Sequence, residues 1–577
     1  MVLAVLLCIV ASQLYLQVRK GRYPIVGADH YSNLIVLPGN SAAVGDLVVQ
    51  TDGGALRGTT MGSAVAFRGI PYAQPPIGEL RWEAPQPLVP WQGVRDATQP
   101  GRACTQRASG LVPFFAPMAQ AYGARFEQPP IDSSEDCLFL DVCVPRWPVQ
   151  SPLPVMVWLH GGSNMVGSGM QSTYKGASLA SHGVLVVTLN YRLGVMGFFS
   201  HPELTARSAH HASGNYGLLD QLAALNWVRQ NIARFGGDPN NVTLFGESAG
   251  AIDATRLMAS PLSAGLFRRV ISESGPAFET GQTLTEAERF GSAVGALAPA
   301  DSQRSELQRL RALPASEVEK LVSRAKVHLN VDITAATTDG WLLPRSPQNA
   351  FLTGSIQKVD LMIGLNGREL SAFRLAAAAA SKGAGSESRI AESGSLKKFS
   401  DSARPYYGAW TTPAIAWYLG KMLIHRAAGL DQAANDILVA CPIGATASLT
   451  HALGQRVFVY RFDRTIPGQG ANDLGAFHSL EVPYVFGALG DPEWQWLPAT
   501  PADAALSAVL QTYWTDFAKT GDPNAPGLPA WPSWNDDKME FLEIGKDAGI
   551  STQRNFAPPL THLSASELKA SFKGAAP

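Results

Sequence analysis

The sequence is short of cysteine and lacks the common metal and nucleotide motifs. Its 577 residues contain no C-x-x-C pair and only five cysteines: Cys8, Cys104, Cys137, Cys143 and Cys441. No H-E-x-x-H, phosphate-loop or G-x-G-x-x-G pattern is present either. Because structural zinc and nucleotide sites usually carry these patterns, we expect neither a metal nor a cofactor.

The chain also lacks an excess of charge of either sign. It has 46 basic and 47 acidic residues, so its formal net charge is −1. Nucleic-acid binders normally show a basic excess, and we therefore expect no nucleic-acid partner. A hydrophobic fraction of 46% over this length is enough for a large buried core.

The N-terminus has one apolar run, from Val2 to Ala11, which is too short to cross a bilayer comfortably. If the run continues to Val18, it could just span a membrane. In a typical signal peptide, positive charge precedes the apolar run. Here it follows the run, in "RKGR". We expect residues 1–20 to be a signal peptide or a membrane anchor of an exported protein, secreted or periplasmic. A wrongly assigned start and a buried N-terminal segment are the alternatives.

Long apolar runs predict strands that are buried on both faces. They include "LPVMVWLHGG" (153–162), "GVLVVTLNYR" (183–192), "RRVISESG", "VDLMIGLNGRE" (359–369) and "RVFVYRFD" (456–463). Between them, Leu218, Leu222, Leu225 and Val228 recur at helical spacing. This alternation predicts a doubly wound α/β domain with a central, mostly parallel sheet.

A stretch near residues 375–398 is biased toward Ala, Gly and Ser. We interpret it as a surface insertion or the frayed end of a helix, in preference to a regulatory element.

The stretch "VTLFGESAGA" (242–251) places Ser248 between two glycines, after a predicted strand and before a predicted helix. The five-residue pattern is weak alone, but strand–G-x-S-x-G–helix is the setting of an exposed nucleophile on a tight turn. The following helix would direct its N–H groups toward the serine, where negative charge develops during acyl transfer. We therefore predict that Ser248 is a nucleophile.

A serine nucleophile needs a base and an acid that orients the base. Glu369 and His478 both follow predicted strands, in the chain order serine, acid, histidine. Asp332, Asp339 and Asp360 compete with Glu369 as the acid, and spacing alone does not exclude them.

A third predicted element is a glycine loop, "HGGSNMVGSG" (160–169), that follows a strand. Its N–H groups can face a carbonyl oxygen because glycine lets a substrate approach the backbone. A flexible loop without a catalytic role is the alternative.

These residues resemble those of the type-B carboxylesterases, the cholinesterase–carboxylesterase family. Other blocks also resemble the family, in the same order, from about Gly45 to Trp534: "FRGIPYAQPPIGELRWEAPQPLVPWQGVRDAT", "SEDCLFLDVCVP", "NYRLGVMGFFSHPE", "SESGPAF" and "WTDFAKTGDPN". The resemblance implies an α/β-hydrolase fold, with large loop and helical insertions over the site, in a single domain over residues 45–560.

The resemblance also implies roles for individual residues. Ser248, Glu369 and His478 would form the triad, and Gly162, Ser163 and Ala249 would supply the oxyanion N–H donors. Glu247 would support the site from behind. Cys104 and Cys137 match the family's first disulfide, whereas Cys143 and Cys441 are expected to be free and buried.

The implied activity is hydrolysis of a small-molecule carboxylic ester through an acyl-enzyme. Cholinesterases carry a choline-binding tryptophan inside the first disulfide loop. This sequence has none there, although Phe114 and Phe115 could form an apolar wall. A non-catalytic adhesion or scaffold protein and a membrane-associated lipase are the alternatives. The oligomeric state is left open.

Overall fold

A computed structural model of the protein describes residues 47–326, 335–382, 404, 406, 411, 415, 432–556 and 565–573. The predicted segment 1–20, the acid candidate Asp332 and most of the Ala/Gly/Ser-rich stretch lie outside these residues. Within the described part of the chain, no helix combines the length and the apolar character that a membrane crossing needs.

The centre of the fold is a sheet of eleven strands. In chain order they are β1 (Thr59–Met61), β2 (Ala64–Pro71), β3 (Phe139–Val144), β4 (Leu153–Leu159), β5 (Leu185–Leu189), β6 (Gly237–Glu247), β7 (Arg269–Glu273), β8 (Asp360–Asn366), β9 (Val457–Phe462), β10 (Phe541–Ile544) and β11 (Ile550–Gln553). Their order across the sheet is β11-β10-β9-β8-β7-β6-β4-β5-β3-β2-β1.

The sheet is parallel from β10 to β5 and antiparallel at both edges. The predicted mostly parallel sheet is therefore confirmed. The strand β6 begins at Gly237, earlier than the apolar run that indicated it, and its register against β4 shifts between Gly237 and Val242.

Alternate residues of the central strands enter two different cores. In β4, Val155, Val157 and Leu159 pack in one hydrophobic cluster, whereas Met156 and Trp158 pack in the other. Because a strand directs successive side chains to opposite faces, an unbroken apolar run is what a strand covered on both sides requires.

Six helices pack against the sheet or contact the ring of His478. They are α1 (Val112–Ala121), α2 (Tyr216–Asn231), α3 (Ala249–Met258), α4 (Glu369–Lys382), α5 (Cys441–His451) and α6 (Pro501–Thr520). Apolar residues of α2, α3 and α5 pack in one core, and those of α6 pack in the other. Helices thus cover both faces of the sheet, as predicted.

The remaining elements of the described structure are further helices, turns and small sheets. The other α-helices are Ala177–Ser181, Gly194–Phe198, Pro202–Arg207, Leu284–Ala296, Glu306–Arg311, Ala315–Lys326, Pro347–Thr353, Ala471–Leu474, Val482–Val485 and Ala565–Lys573. Gly78–Leu80, Ser172–Tyr174, Ile232–Phe235 and Pro261–Ser263 are 3₁₀ turns, and Asp436–Ala440 is a π-helix. Small sheets form from Val48–Gln50, Ala55–Arg57 and Val94–Asp96, from Ala103–Cys104 with Ser133–Ser134, and from Gln282–Thr283 with Thr337–Thr338.

The loop between Cys104 and Cys137 is closed by a disulfide, as the resemblance implied. Cys143 and Cys441 are free and buried. Helix α1 lies inside this loop and packs against α4, where the rings of Phe114 and Phe373 are 5.2 Å apart. Both of these phenylalanine rings also lie near the ring of His478.

Candidate active site

Ser248 occupies the sharp turn between β6 and α3. Its backbone has φ 54° and ψ −123°, a conformation that costs a non-glycine residue about 1–3 kcal/mol. The Ser248 N–H donates to the carbonyl of Glu273 at 2.9 Å, and the Ser248 carbonyl accepts from the N–H of Ile252. The strained residue is therefore held by the neighbouring strand and by the first turn of its own helix.

The glycines on either side of Ser248 are required by the closeness of β4. A Cβ atom added to Gly250 would lie 2.0 Å from the carbonyl oxygen of Leu159, and one added to Gly246 would lie 2.7 Å from the same oxygen. No side chain fits at such distances. The G-x-S-x-G spacing thus results from the packing of the turn against the end of β4.

The glycine loop after β4 lies directly beside this turn. Gly162 has φ 105°, and a Cβ there would meet the carbonyl oxygen of Val166 at 2.1 Å. Ser163 and Asn164 follow, also with positive φ values of 57° and 54°. A Cβ on Gly161 would approach the Cβ of Ser248 to 3.2 Å. The loop and the N-terminus of α3 therefore face the same space.

A buried polar network that the sequence did not reveal holds this loop in place. The Tyr191 hydroxyl donates to the His160 carbonyl at 2.6 Å and contacts Asn164 Oδ1 at 3.0 Å. Asn164 Nδ2 donates to Asp253 Oδ1 at 3.1 Å, and Arg256 donates to the same carboxylate. Burial raises the pKa of Asp253, and Arg256 opposes this rise.

His478 and Glu369 meet in the structure. His478 Nδ1 lies 2.5 Å from Glu369 Oε2, and the carboxylate is 1% exposed. Its other oxygen accepts from the Ser274 hydroxyl at 2.5 Å and from the Asn366 N–H at 2.6 Å. These bonds fix the orientation of the carboxylate toward the imidazole.

The two competing acids that the structure describes, Asp339 and Asp360, have other partners. Asp339 accepts from Asn215 and from the N–H groups of Trp341 and Leu343, and Asp360 pairs with Arg456.

The second ring nitrogen of His478 contacts Glu247. The Nε2 atom lies 3.1 Å from Glu247 Oε1, which also accepts from the Ser479 hydroxyl at 2.6 Å. No hydrogen bond joins Ser248 Oγ to His478 within the described residues. Catalytic hydrogen bonds are often unformed in the absence of substrate.

The pKa of His478 reflects its two carboxylate neighbours. Burial lowers the pKa of the imidazole, but Glu247 and Glu369 outweigh this effect and raise it to about 9. Burial also raises the pKa of Glu247, whereas His478 and the Ser479 hydroxyl lower it.

Two further glutamates are buried behind the site, and sequence reasoning missed both. Glu273 accepts from Trp514 Nε1 at 2.7 Å, and burial raises its pKa to about 8. Glu481 accepts from Asn366 Nδ2 at 2.5 Å, and burial raises its pKa well above the usual value. The other carboxylate oxygen of each glutamate is buried and has no hydrogen-bond partner in the described structure. Such atoms are usually satisfied by ordered water or by protonation.

A cavity of about 240 Å³ opens over Ser248 and His478. Gly161, Gly162 and Ser163 line it, and most of the remaining lining is apolar. The aromatic members are Phe114, Phe115, Phe126, Tyr174, Phe373 and Trp494. Phe373, which is 38% exposed, lies 4.9 Å from the His478 ring, centroid to centroid. The cavity can thus hold an apolar molecule with its reacting group over Ser248.

The sequence and the fold were compared with those of known proteins. The family model described as "Carboxylesterase family" matches residues 45–558. The chain belongs to the carboxylesterase family. It is a carboxylic ester hydrolase with an α/β-hydrolase fold. The described residues hold no group of three or more His, Cys, Asp or Glu side chains that could bind a metal ion.

Two characterised relatives and one solved structure illustrate the similarity to the carboxylesterase family. The chain is 33% identical over 519 residues to para-nitrobenzyl esterase of Bacillus subtilis (strain 168), covering 87% of this chain and 96% of the relative. It is 34% identical over 505 residues to human carboxylesterase 3, covering 83% of this chain and 82% of the relative. A solved structure of PNB esterase superposes with a TM-score of 0.73 at 32% identity, covering 91% of this chain and 99% of the PNB esterase chain.

Proposed function

We propose that the protein hydrolyses carboxylic esters through an acyl-enzyme in which Ser248 is the nucleophile, His478 the base and Glu369 the orienting acid. The observation that carries this proposal is the 2.5 Å contact of His478 Nδ1 with Glu369, beside the turn that carries Ser248 and in one cavity. A serine on a strained turn with a carboxylate-oriented imidazole is the arrangement that acyl transfer needs.

In the first half of the reaction, His478 Nε2 leaves Glu247 and accepts the proton of Ser248 Oγ. The serine oxygen attacks the ester carbonyl, and the carbonyl oxygen becomes negative. The N–H groups of Gly162, Ser163 and Ala249 stabilise this oxyanion, and a single such donor contributes about 10²–10³ in rate. The imidazolium then protonates the leaving alcohol.

In the second half, water replaces the alcohol and attacks the acyl-enzyme, with His478 again as the base. Glu369 holds the imidazole tautomer through Nδ1, and the nearby charge of Glu247 also favours the imidazolium. No cofactor is required by these steps.

The test is hydrolysis of p-nitrophenyl butyrate by the full chain and by Ser248→Ala. We expect a loss of at least about 10⁴-fold in kcat for the variant, with unchanged folding. Ser181→Ala is the matched control, because Ser181 is a helix serine that does not line the cavity. In a labelling experiment, diethyl 4-nitrophenyl phosphate should transfer its diethylphosphoryl group to Ser248 Oγ and release 4-nitrophenol, and the modified peptide is identified by its mass. Equal rates for the parent and Ser248→Ala would remove Ser248 from the mechanism.

We also propose that residues 45–560 form a single domain and that residues 1–20 direct export, as a signal peptide or as a membrane anchor. The disulfide supports an oxidising compartment. N-terminal sequencing of the mature protein, together with membrane fractionation, distinguishes cleavage from anchoring. Recovery of the intact chain in a reducing cytoplasm would contradict the proposal.

A further inference from the structure

Four charged side chains line the cavity: Arg107, Glu247, His478 and Glu493. Three of them are engaged. Glu247 and His478 contact each other, and Glu493 accepts from the N–H and the hydroxyl of Thr173. Arg107 is exposed, and its guanidinium makes no ion pair or hydrogen bond in the described structure. The cavity therefore has one cationic group that is free to bind a ligand.

The position of Arg107 at the cavity is fixed by the residue before it. The Gln106 side chain is buried, and its amide exchanges two hydrogen bonds with Gly167: Nε2 donates to the carbonyl at 2.7 Å, and Oε1 accepts from the N–H at 2.8 Å. Gly167 belongs to the glycine loop that faces Ser248. The backbone beside Arg107 is thus attached to the loop that faces the reacting group.

Two other arginines of this region have carboxylate partners. Arg81 pairs with Glu135 at 2.5 Å, and Arg102 pairs with Asp132 at 3.1 Å. Arg125, in the same disulfide loop as Arg107, has no partner in the described structure either, but it does not line the cavity. Arg107 is therefore distinguished by having both an unpaired guanidinium and a place in the cavity lining.

We propose that Arg107 is a specificity-determining residue, which binds a carboxylate that the ester substrate carries away from its scissile bond. The inference rests on the proposed function, because it places the scissile ester at Ser248. A planar guanidinium binds a carboxylate through two parallel N–H···O bonds. The aromatic wall formed by Phe114, Phe115 and Phe126 would hold the hydrocarbon between the two ends.

A cationic substrate is the competing possibility, with Glu493 as its partner. The observations favour the anion. One oxygen of Glu493 is already held by two donors of Thr173, and the charge of Glu247 is offset by His478. Arg107 has no such competitor.

The experiment compares matched esters with the full-length protein. On the acyl side, mono-4-nitrophenyl adipate is compared with 4-nitrophenyl hexanoate. On the alcohol side, 4-carboxyphenyl butyrate is compared with 4-methylphenyl butyrate. A 4-nitrophenyl ester of 6-aminohexanoic acid serves as the cationic probe. Each ester is assayed with the parent, Arg107→Gln and Arg125→Gln. Arg125→Gln is the matched control, because Arg125 lies in the same disulfide loop and is also unpaired in the described structure. Unlike Arg107, it does not line the cavity.

We expect Arg107→Gln to reduce kcat/KM by about tenfold for the anionic ester of at least one pair and to leave the neutral esters unchanged. Arg125→Gln should leave kcat/KM unchanged for both the anionic and the neutral esters. The preference of the parent for the anionic ester should also weaken at high salt, because an exposed pair is screened.

The outcomes separate this inference from the proposed function. Turnover of neutral esters with no effect of Arg107→Gln on either anionic ester would overturn the inference alone. A preference for the cationic ester, lost in Glu493→Gln, would replace Arg107 with Glu493 as the specificity residue. Failure of the parent to hydrolyse any of the esters would overturn the proposed function and the inference together.

Discussion

His478 Nε2 lies 3.1 Å from the carboxylate of Glu247, the residue directly before Ser248. The imidazole thus lies between two carboxylates, because its Nδ1 atom contacts Glu369. One acid is in position to orient the ring, and the other contacts the nitrogen that accepts the serine proton in the proposed mechanism. The two carboxylates favour a positively charged His478. Under the proposed mechanism, the rate at neutral pH should therefore depend on how readily His478 loses its proton.

Replacement of Glu247 by Gln should shift the pH dependence of activity toward acid. The pKa of His478 is raised to about 9, and the base must be neutral to accept a proton, so the activity of the parent should rise with pH toward this value. Removal of one of the two carboxylates that raise the pKa should lower the midpoint. The kcat/KM profile for a neutral ester measures it. Glu493→Gln, which removes a cavity acid that does not contact His478, should leave the midpoint in place; an unchanged midpoint in Glu247→Gln would contradict this account.

The same pKa should appear in the pH dependence of stability. The pKa of His478 is higher in the folded protein than its ordinary value of 6.5. Its contribution to the free energy of unfolding should therefore be fully present below about pH 6.5 and be lost as the pH rises through about 9. Denaturant unfolding of the parent and of His478→Gln across this range measures the difference. The stability difference between the two proteins should shrink toward alkaline pH, and a constant difference would disagree.

Replacement of Glu369 by Gln should abolish most of the activity without unfolding the protein. The amide keeps the shape of the side chain, but it cannot stabilise the imidazolium or select the required tautomer. The expected loss in kcat is about 10³–10⁴-fold, measured with p-nitrophenyl butyrate. Asp339→Asn is the matched control, because Asp339 is another buried acid that was a candidate on sequence grounds. If Asp339→Asn lost more activity than Glu369→Gln, the assignment of the acid would be wrong.

Gly250→Ala should be poorly tolerated. The added methyl group would lie 2.0 Å from the Leu159 carbonyl oxygen, so the turn or the end of β4 would have to move. We expect a loss of roughly 3 kcal/mol or more in the free energy of unfolding, together with loss of activity. Gly490→Ala is the control, since nothing lies within 4 Å of the added atom there. Denaturant unfolding of both variants gives the comparison; equal stabilities would show that the turn can relax.

Removal of the disulfide by a Cys104→Ser, Cys137→Ser double substitution should destabilise the protein. The bridge closes a loop with a sequence separation of 33, for which loop-closure entropy gives about 3–4 kcal/mol. Because α1 lies within this loop, KM for apolar esters should rise as well. The midpoint of thermal unfolding and KM are the measurements. Cys143→Ala, at a buried free thiol, provides the comparison, and a double variant as stable as the parent would show that the disulfide does not stabilise the fold.

The parts of the site that are local in sequence could be predicted from it. The strand, turn and helix around Ser248 and the glycine loop after β4 are contiguous segments, and their geometry follows from residue order. Glu369 could be separated from Asp339 and Asp360 only through the family resemblance, because many acids follow strands. The structure shows Glu369 beside His478.

The contacts across the strand ends could not be predicted. Glu247 meets His478, and Glu273 and Glu481 are buried behind them, because β6, β7 and the segment after β9 are brought together only in the folded sheet. In the sequence Glu273 and Glu481 look like ordinary surface charges, and only the family resemblance placed Glu247 at the site. The buried network of Asn164, Tyr191 and Asp253 could not be predicted from sequence periodicity either, because its members are distant along the chain.

The order of the strands has a consequence for the growing chain. Ser248 follows β6, whereas His478 follows β9, which pairs with β8 and comes later in the chain. A nascent chain that has completed β4 to β7 therefore carries the serine turn without His478. Under the proposed mechanism, ester hydrolysis should begin only when β9 and the segment after it have joined the sheet, and shorter chains should be inactive.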